Sequence, residues 1–312
     1  PEDPNYNWHP EVFGNSPLVA ASFNPQLMYD IGAFIGEESL FVGIPILWGP
    51  GLNTHRHAYN GRNGEYYSED PVLAGVCSME FAIGAQQYGL IAAPKHFAFN
   101  DQETNRSGVA PFMTEQRARE VELRAYQIAF EATKYDTAEE NNGMRGLMVS
   151  FSKIGPVECT CSTGLMTNIL KNEWGFQGYA VTDIYDDMDL YTAVLASGTT
   201  CYDTRGMSGF YSTTTLDNNS RFATQVDGNT VSSTMLLGDA TLQAAVKESA
   251  HNILYAMSQS HLMNRYNSTT RVEQAVTWWR VLYIGLAVVS GVLTVASAAL
   301  YVTSKPKESE VK

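Results

Sequence analysis

The sequence predicts an α/β fold of parallel strands joined by helical crossovers and arranged as a barrel, followed by one transmembrane helix. Three observations predict it. Short apolar, β-prone runs alternate with helical patterns, which requires parallel pairing across helical connections. Several of these runs end in charged or polar residues, as strands do at the C-terminal face of a barrel. Val281–Val302 (VLYIGLAVVSGVLTVASAALYV) is 22 residues without a charge, enough to cross ~30 Å of hydrocarbon.

Taken in order, Asn24-Pro25 supplies a helix cap and a proline at the first helical position, and an apolar stripe follows at Leu27, Ile31, Phe34 and Ile35. Gly43–Trp48 (GIPILW) reads as the first strand and runs into the loop GPGLNTHRHAYNGRNGEYYSED. Asp70-Pro71 opens the next helix by the same device, with Leu73, Val76 and Ile83 inward. Leu90–Phe97 (LIAAPKHF) is the second strand, ending in Lys95 and His96. Thr114 caps a long helix whose expected inner face is Val121, Ala125, Ile128, Ala129 and Ala132. Gly146–Phe151 (GLMVSF) is the third strand, with Ser150 and Ser152 at its end.

Ser162–Trp174 reads as a helix stopped by Gly175. The stretch GFQGYAVTDIYDD then holds a buried parallel strand, Tyr179–Thr182, which starts at a glycine and stops at Asp183. Ala193–Asp203 holds one more strand. Gly206–Ser233 is rich in Ser, Thr, Gly and Asn without periodicity and reads as a long surface loop. Asp239 caps the last soluble helix, with Leu242, Val246, Ile253 and Met257 inward. The expected division is a barrel over 1–263, a juxtamembrane linker over 264–280, a transmembrane helix over 281–302 and a tail over 303–312.

Composition narrows the function. With 312 residues, 44% of them hydrophobic, the chain can bury one large core or two small ones. A net charge of −13 with no basic run in the main body argues against nucleic acid as a partner. Without a G-x-G-x-x-G or a P-loop opening a helix, a nucleotide-binding sheet is not expected. Cys77, Cys159, Cys161 and Cys201 fit no zinc spacing, and His55 with His57 lack a matching carboxylate motif, so no metal or other cofactor is expected.

Trp278, Trp279 and Tyr283 stand at one end of the apolar run and Tyr301 at the other, as interfacial aromatics do. Lys305, Lys307 and Lys312 against Arg280 place the tail in the cytoplasm. The expectation is therefore a single-pass cell-membrane protein with its barrel outside. The chain begins at Pro1 without a signal peptide. Either its start lies further upstream or the terminal helix itself directs insertion.

Barrel geometry would bring four strand ends to one mouth. Arg56, His57 and Arg62 follow the first strand and Lys95 and His96 the second. Ser150 and Ser152 close the third, and Asp183 the fourth. Cations beside a carboxylate hold it ionised, which suits a nucleophile better than a proton donor. Two other readings stand beside this one: Asp183 as a helix cap, and Lys95 as a Schiff-base lysine of an aldolase-type barrel.

Three motifs, GPGLNTHRHAYNGRNGEYYSEDP, KHFAFNDQETNR and NEWGFQGYAVTD, resemble in order and spacing the catalytic barrel of glycoside hydrolase family 3. That family contains β-glucosidases, β-xylosidases and related exo-acting enzymes, and the resemblance runs from about Ser22 to Asp203. It implies a (β/α)8-type TIM barrel acting on an oligosaccharide or β-glucoside, with a retaining mechanism. By position Asp183 matches the nucleophile, and Arg62, Lys95 and His96 match residues that hold the sugar hydroxyls. Arg56, Glu65, Asp70, Glu103 and Arg106 match motif positions that are either structural or peripheral to the sugar. Arg106 and Phe151 complete the expected substrate-binding set, Phe151 standing where the family has Tyr beside the nucleophile.

The departures carry expectations of their own. The Asp-Gly-Pro strand that opens the family barrel is not found, so the barrel is expected to be incomplete at its N-terminus. Ile184 replaces the Trp that follows the nucleophile. The loop KHFAFNDQE is not the KHFPGHGD-like loop whose His serves as acid/base in one branch. The acid/base is then expected from outside the chain, on an upstream α/β sandwich domain of a member with permuted domain order. The alternative is a non-catalytic relative that binds or scaffolds surface glycans.

Overall fold

Side-chain caps set where the helices begin. Asn24 accepts from the Leu27 N–H at 3.3 Å and Asp70 from the Val72 N–H at 2.8 Å, each ahead of a proline. Amides that no helical carbonyl can reach thus find an acceptor. These caps start α2 (Pro25–Val42) and α3 (Pro71–Gln87), after a short α1 (Ser16–Ala20). The computed structural model describes residues 13–106, 108–131, 144–184, 191–203, 225–226, 229–230, 238–264, 276 and 278–304. Contacts divide the chain into two units, Pro1–Asn267 and Ser268–Lys312.

In the first unit, β1 (Ile46–Leu47) pairs in parallel with β2 (Ile91–Ala92), Ile46 opposite Ile91. The chain beyond β2 crosses to β3 (Gly146–Val149) through a parallel bridge between Phe97 and Val149. A small hairpin follows, β4 (Lys153–Ile154) with β5 (Val157–Glu158). β3 then pairs in parallel with β6 (Tyr179–Ile184), Gly146 opposite Tyr179, and β6 with β7 (Cys201–Asp203). Five parallel strands therefore lie side by side in chain order, as barrel strands do.

Helices fill the crossovers. α3 lies between β1 and β2, and an irregular helix between β2 and β3 comprises α4 (Glu115–Arg117), a π turn (Ala118–Glu122) and α5 (Arg124–Glu131). A π helix (Gly164–Glu173), ending just before Gly175 with its φ of 75°, leads to β6, and α6 (Tyr191–Ser197) leads to β7. Beneath β2 and β3, Phe97 packs its ring 5.1 Å from Tyr126 and 5.9 Å from Trp174. Trp174 in turn stacks on Phe130 at 6.4 Å. This aromatic cluster anchors the segment that carries His96.

Several sequence expectations need correction. The first two strands are shorter than GIPILW and LIAAPKHF, because Pro94 has no N–H for the ladder and only single bridges continue beyond Ala92. The inner face of α2 is Met28, Gly32, Gly36 and Ser39, while Leu27 and Phe34 are exposed. A Cβ on Gly32 would lie 2.0 Å from the Phe81 carbonyl oxygen, so close approach to α3 selects glycine there. In the third helix Val121 and Ile128 are only half-buried, and Leu123, Tyr126 and Phe130 face inward. Ala125 and Ala129 are buried as expected, and the π turn, in which the Leu123 N–H bonds to the Ala118 carbonyl, adds a residue ahead of them.

Tyr191–Ser197 is helix, so the strand expected within Ala193–Asp203 is confined to its last three residues. In the helix Ala240–Ser258, Asp239 is the cap, but the buried positions are Leu242, Ser249, Asn252 and Ala256, and Val246 and Met257 are exposed. Ala132, the tail from residue 305 and most of Gly206–Ser233 and of the 264–280 linker lie outside the described residues. Within that loop a two-residue pairing, Gln225–Val226 with Asn229–Thr230, is described. Among its described residues the second unit holds one helix, Trp278–Ser304, whose 27 residues are long and apolar enough to cross a membrane.

Candidate active site

The strand segment after β2 presents its residues by strict bookkeeping of backbone bonds. The Lys95 N–H donates to the Pro50 carbonyl (2.9 Å) and the Lys95 carbonyl accepts from Leu52 N–H (2.7 Å), on the β1 side. Phe97 does the same with Met148 (2.8 Å) and Ser150 (2.7 Å), on the β3 side. His96, between them, has no ladder partner. The Asn53 side chain replaces one, accepting from His96 N–H at 2.8 Å and donating to the His96 carbonyl at 3.0 Å. His96 is thereby fixed, 2% exposed, with its ring free to face the mouth.

Asp183 sits near the end of β6, its side chain 14% exposed and its Oδ2 3.6 Å from His96 Nε2. Arg62 donates through Nη2 to the same Nε2 at 3.1 Å. Arg62 Nε also pairs with Glu65, and Lys95 Nζ lies 3.6 Å from the other Glu65 oxygen. Glu103 joins from the far side, 3.6 Å from Arg62 and 3.2 Å from Arg106. The Arg106 guanidinium lies over the Phe151 ring at 4.3 Å, a cation–π contact. Arg62, Lys95, His96, Arg106, Phe151 and Asp183 thus belong to one connected cluster at the C-terminal ends of the strands.

Burial, helped by the positive charges of Arg62, Lys95 and Arg106, pushes His96 well below the ordinary imidazole value. A guanidinium can only donate, so Nε2 is the acceptor and His96 is neutral. The 3.6 Å approach to Asp183 is therefore not an ion pair. Arg62 and Lys95 direct their charge to Glu65 rather than to Asp183, which corrects the expectation that these cations flank the carboxylate directly.

Other motif residues have structural work. Asp70 caps α3, and Ser150 and Ser152 are buried, with Ser150 Oγ accepting from the Ser152 N–H at 2.9 Å. Arg56 pairs with Asp101, which is buried. Burial, with the Glu122 carboxylate nearby, raises the Asp101 value to about 6 against the opposing pull of Arg56. A cleft of about 330 Å3 lined by Arg56, His57, Asp101 and Glu103 opens beside the cluster. A larger groove of about 450 Å3, at Met113, Leu123, Leu165 and Ile169, contains none of the site residues.

Tyr66, Asn53 and Asn100 escaped the sequence reading. Tyr66 is fully buried, with its hydroxyl 3.4 Å from His96 Nδ1 and donating to the Asn100 carbonyl at 3.2 Å. Its only sequence signal is its place in the GEYYSED loop.

Parallel strands in chain order, with cations, an imidazole and a carboxylate gathered at their C-terminal ends, define a barrel-type α/β domain with a polar mouth. The chain belongs to glycoside hydrolase family 3: residues 11–199 match the Glycosyl hydrolase family 3 N terminal domain. It is 31% identical over 254 residues to a beta-glucosidase of Ruminococcus albus, covering 80% of this chain and 25% of the relative. It is 36% identical over 185 residues to Beta-glucosidase A of Butyrivibrio fibrisolvens, covering 59% of this chain and 21% of the relative. The chain thus spans about a quarter of the length of these curated relatives. The structure of beta-glucosidase 3B from Thermotoga neapolitana in complex with alpha-D-glucose superposes with a TM-score of 0.70 at 28% identity, covering 85% of this chain and 34% of that one. The fold is accordingly TIM-barrel-like.

Proposed function

We propose that the chain is the barrel of a retaining exo-β-glycosidase acting on terminal β-linked sugars, most simply a β-glucosidase. The observation that carries this reading is the placement of Asp183 at the end of β6, in one cluster with His96, Arg62 and Lys95. Asp183 attacks the anomeric carbon and the aglycone leaves, giving a glycosyl-enzyme ester that water then hydrolyses. Arg62, Lys95, His96 and Arg106 hold the sugar hydroxyls, and Phe151, with one face against Arg106, forms an apolar wall.

The proton donor of a retaining pair stands about 5–5.5 Å from the nucleophile. Within the cluster, Glu65 pairs through both oxygens with Arg62 and Lys95, Glu103 pairs through one with Arg62 and Arg106, and His96 is neutral. We therefore place the donor outside the described residues, the α/β sandwich implied by the family resemblance being its expected carrier. We also propose that Trp278–Ser304 is a single-pass anchor, with the barrel outside and the lysine-bearing tail in the cytoplasm.

A second reading, a non-catalytic glycan-binding relative, is favoured by Ile184, which is 39% exposed and offers no aromatic platform beside Asp183. A β-glucoside with a dinitrophenol leaving group, which needs little protonation, separates the two. Release of dinitrophenol that disappears in Asp183→Asn supports the glycosidase. Binding of a cello-oligosaccharide without release, unchanged by the substitution, supports the binding protein.

A further inference from the structure

The hydrogen bonds around His96 specify more than its position. Its Nε2 faces two groups, Arg62 Nη2 at 3.1 Å and Asp183 Oδ2 at 3.6 Å. Its Nδ1 faces the Tyr66 hydroxyl at 3.4 Å. That hydroxyl donates its own proton to the Asn100 carbonyl at 3.2 Å and receives the Asn100 side-chain N–H at 3.4 Å. Having given away its proton, the Tyr66 oxygen can only accept from His96. Burial raises the Tyr66 value far above that of a free phenol, so the hydroxyl keeps its proton.

We propose that Tyr66 is a positioning residue that, together with the Arg62 donor on Nε2, holds His96 in the tautomer protonated on Nδ1, so that His96 turns a lone pair rather than a proton toward Asp183. The consequence rests on the glycosidase reading above. In the opposite tautomer, the Nε2–H would point at Asp183 and donate to it, tying up an oxygen that must attack carbon. It would also set an N–H against the Arg62 N–H. With the proton on Nδ1, Arg62 satisfies Nε2, and Asp183 is left without a hydrogen bond from the imidazole. No proton moves in this arrangement; Tyr66 and Arg62 between them select which nitrogen holds it.

The test reads the tautomer directly, without substrate. In the full chain labelled with 15N-histidine, His96 is assigned as the ring signal lost in His96→Gln. The expected spectrum has a protonated-type shift at Nδ1 and an unprotonated-type shift at Nε2 near neutral pH. Tyr66→Phe keeps the ring and removes the acceptor, so the ratio of the Nδ1–H to the Nε2–H form should fall about fivefold, the value of one neutral hydrogen bond. In the same variant, covalent labelling of Asp183 should slow while sugar binding changes little.

A wild-type signal protonated at Nε2 overturns the proposal whether or not the variant folds. A folded Tyr66→Phe with an unchanged 15N pattern overturns it equally. Failure of the function is distinguishable: a chain with the expected tautomer that neither labels nor turns over refutes the glycosidase, not the tautomer.

Discussion

Replacing His96 by Gln should flatten the acid side of the stability profile by a calculable amount. The folded protein keeps His96 neutral, well below the value near 6.5 of an ordinary imidazole. As pH falls through 6.5 the unfolded chain takes up a proton that the folded chain refuses, so stability present above 6.5 is lost toward acid. Between pH 7 and 5.5 this one group costs on the order of 1 kcal/mol. Asp101 works the other way. Its folded value of about 6 lies above the unfolded 3.8, so the folded state takes up the proton first and gains stability, at most on the order of 1 kcal/mol, over the same interval.

The two effects partly cancel in the wild type, and His96→Gln leaves only the second. The assay is urea unfolding of the full chain in detergent, followed by tryptophan fluorescence, at pH 7 and 5.5. The stability difference between variant and wild type should shift by on the order of 1 kcal/mol in the variant's favour on acidification. Asp101 drops out of that comparison. Parallel pH dependences would show that His96 titrates normally and would undo its assignment as a neutral acceptor.

Gly32→Ala places a methyl 2.0 Å from the backbone oxygen of Phe81 and should cost about 1–3 kcal/mol or more by overpacking α2 on α3; a midpoint within error of wild type would refute the close-packed interface. Phe151→Ala removes the ring under Arg106, and with it a contact worth about 0.5–2 kcal/mol, and should weaken glucose binding, read by titration calorimetry, with unchanged affinity contradicting a role for that wall. A chain ending at Asn267 should stay soluble without detergent while the full chain floats with lipid vesicles; a full chain monodisperse in plain buffer would remove the membrane anchor.

The sequence shows best what is decided over a few residues. Asn24, Asp70, Thr114 and Asp239 each cap the helix their spacing suggested, and Asp183 lies near the end of its strand, because caps and strand ends are local chemistry. Inner faces built of glycine or polar residues were not legible. Gly32 and Gly36 face α3 because two helices come too close for side chains, and Ser249 and Asn252 are buried where hydrophobic periodicity pointed to Val246. The π turn at Ala118–Glu122 was not legible either, being a one-residue slip with no composition signal, although Ala125 and Ala129 beyond it are buried as their spacing suggested. Family motifs brought Arg62, Lys95 and His96 into the cluster. Tyr66 and Asn53 were invisible because their partners lie 30 and 43 residues away, a separation that only the folded chain closes.

The central claim is that Asp183 is the nucleophile, and trapping its ester tests that most directly. Incubation with the dinitrophenyl glycoside of a 2-fluoro sugar, followed by intact mass and peptide mapping, should give one fluoroglycosyl group per chain, on Asp183. Asp183→Asn, folded by circular dichroism, should take up none. A label on any other residue, or an equal label on the Asn variant, would contradict the assignment.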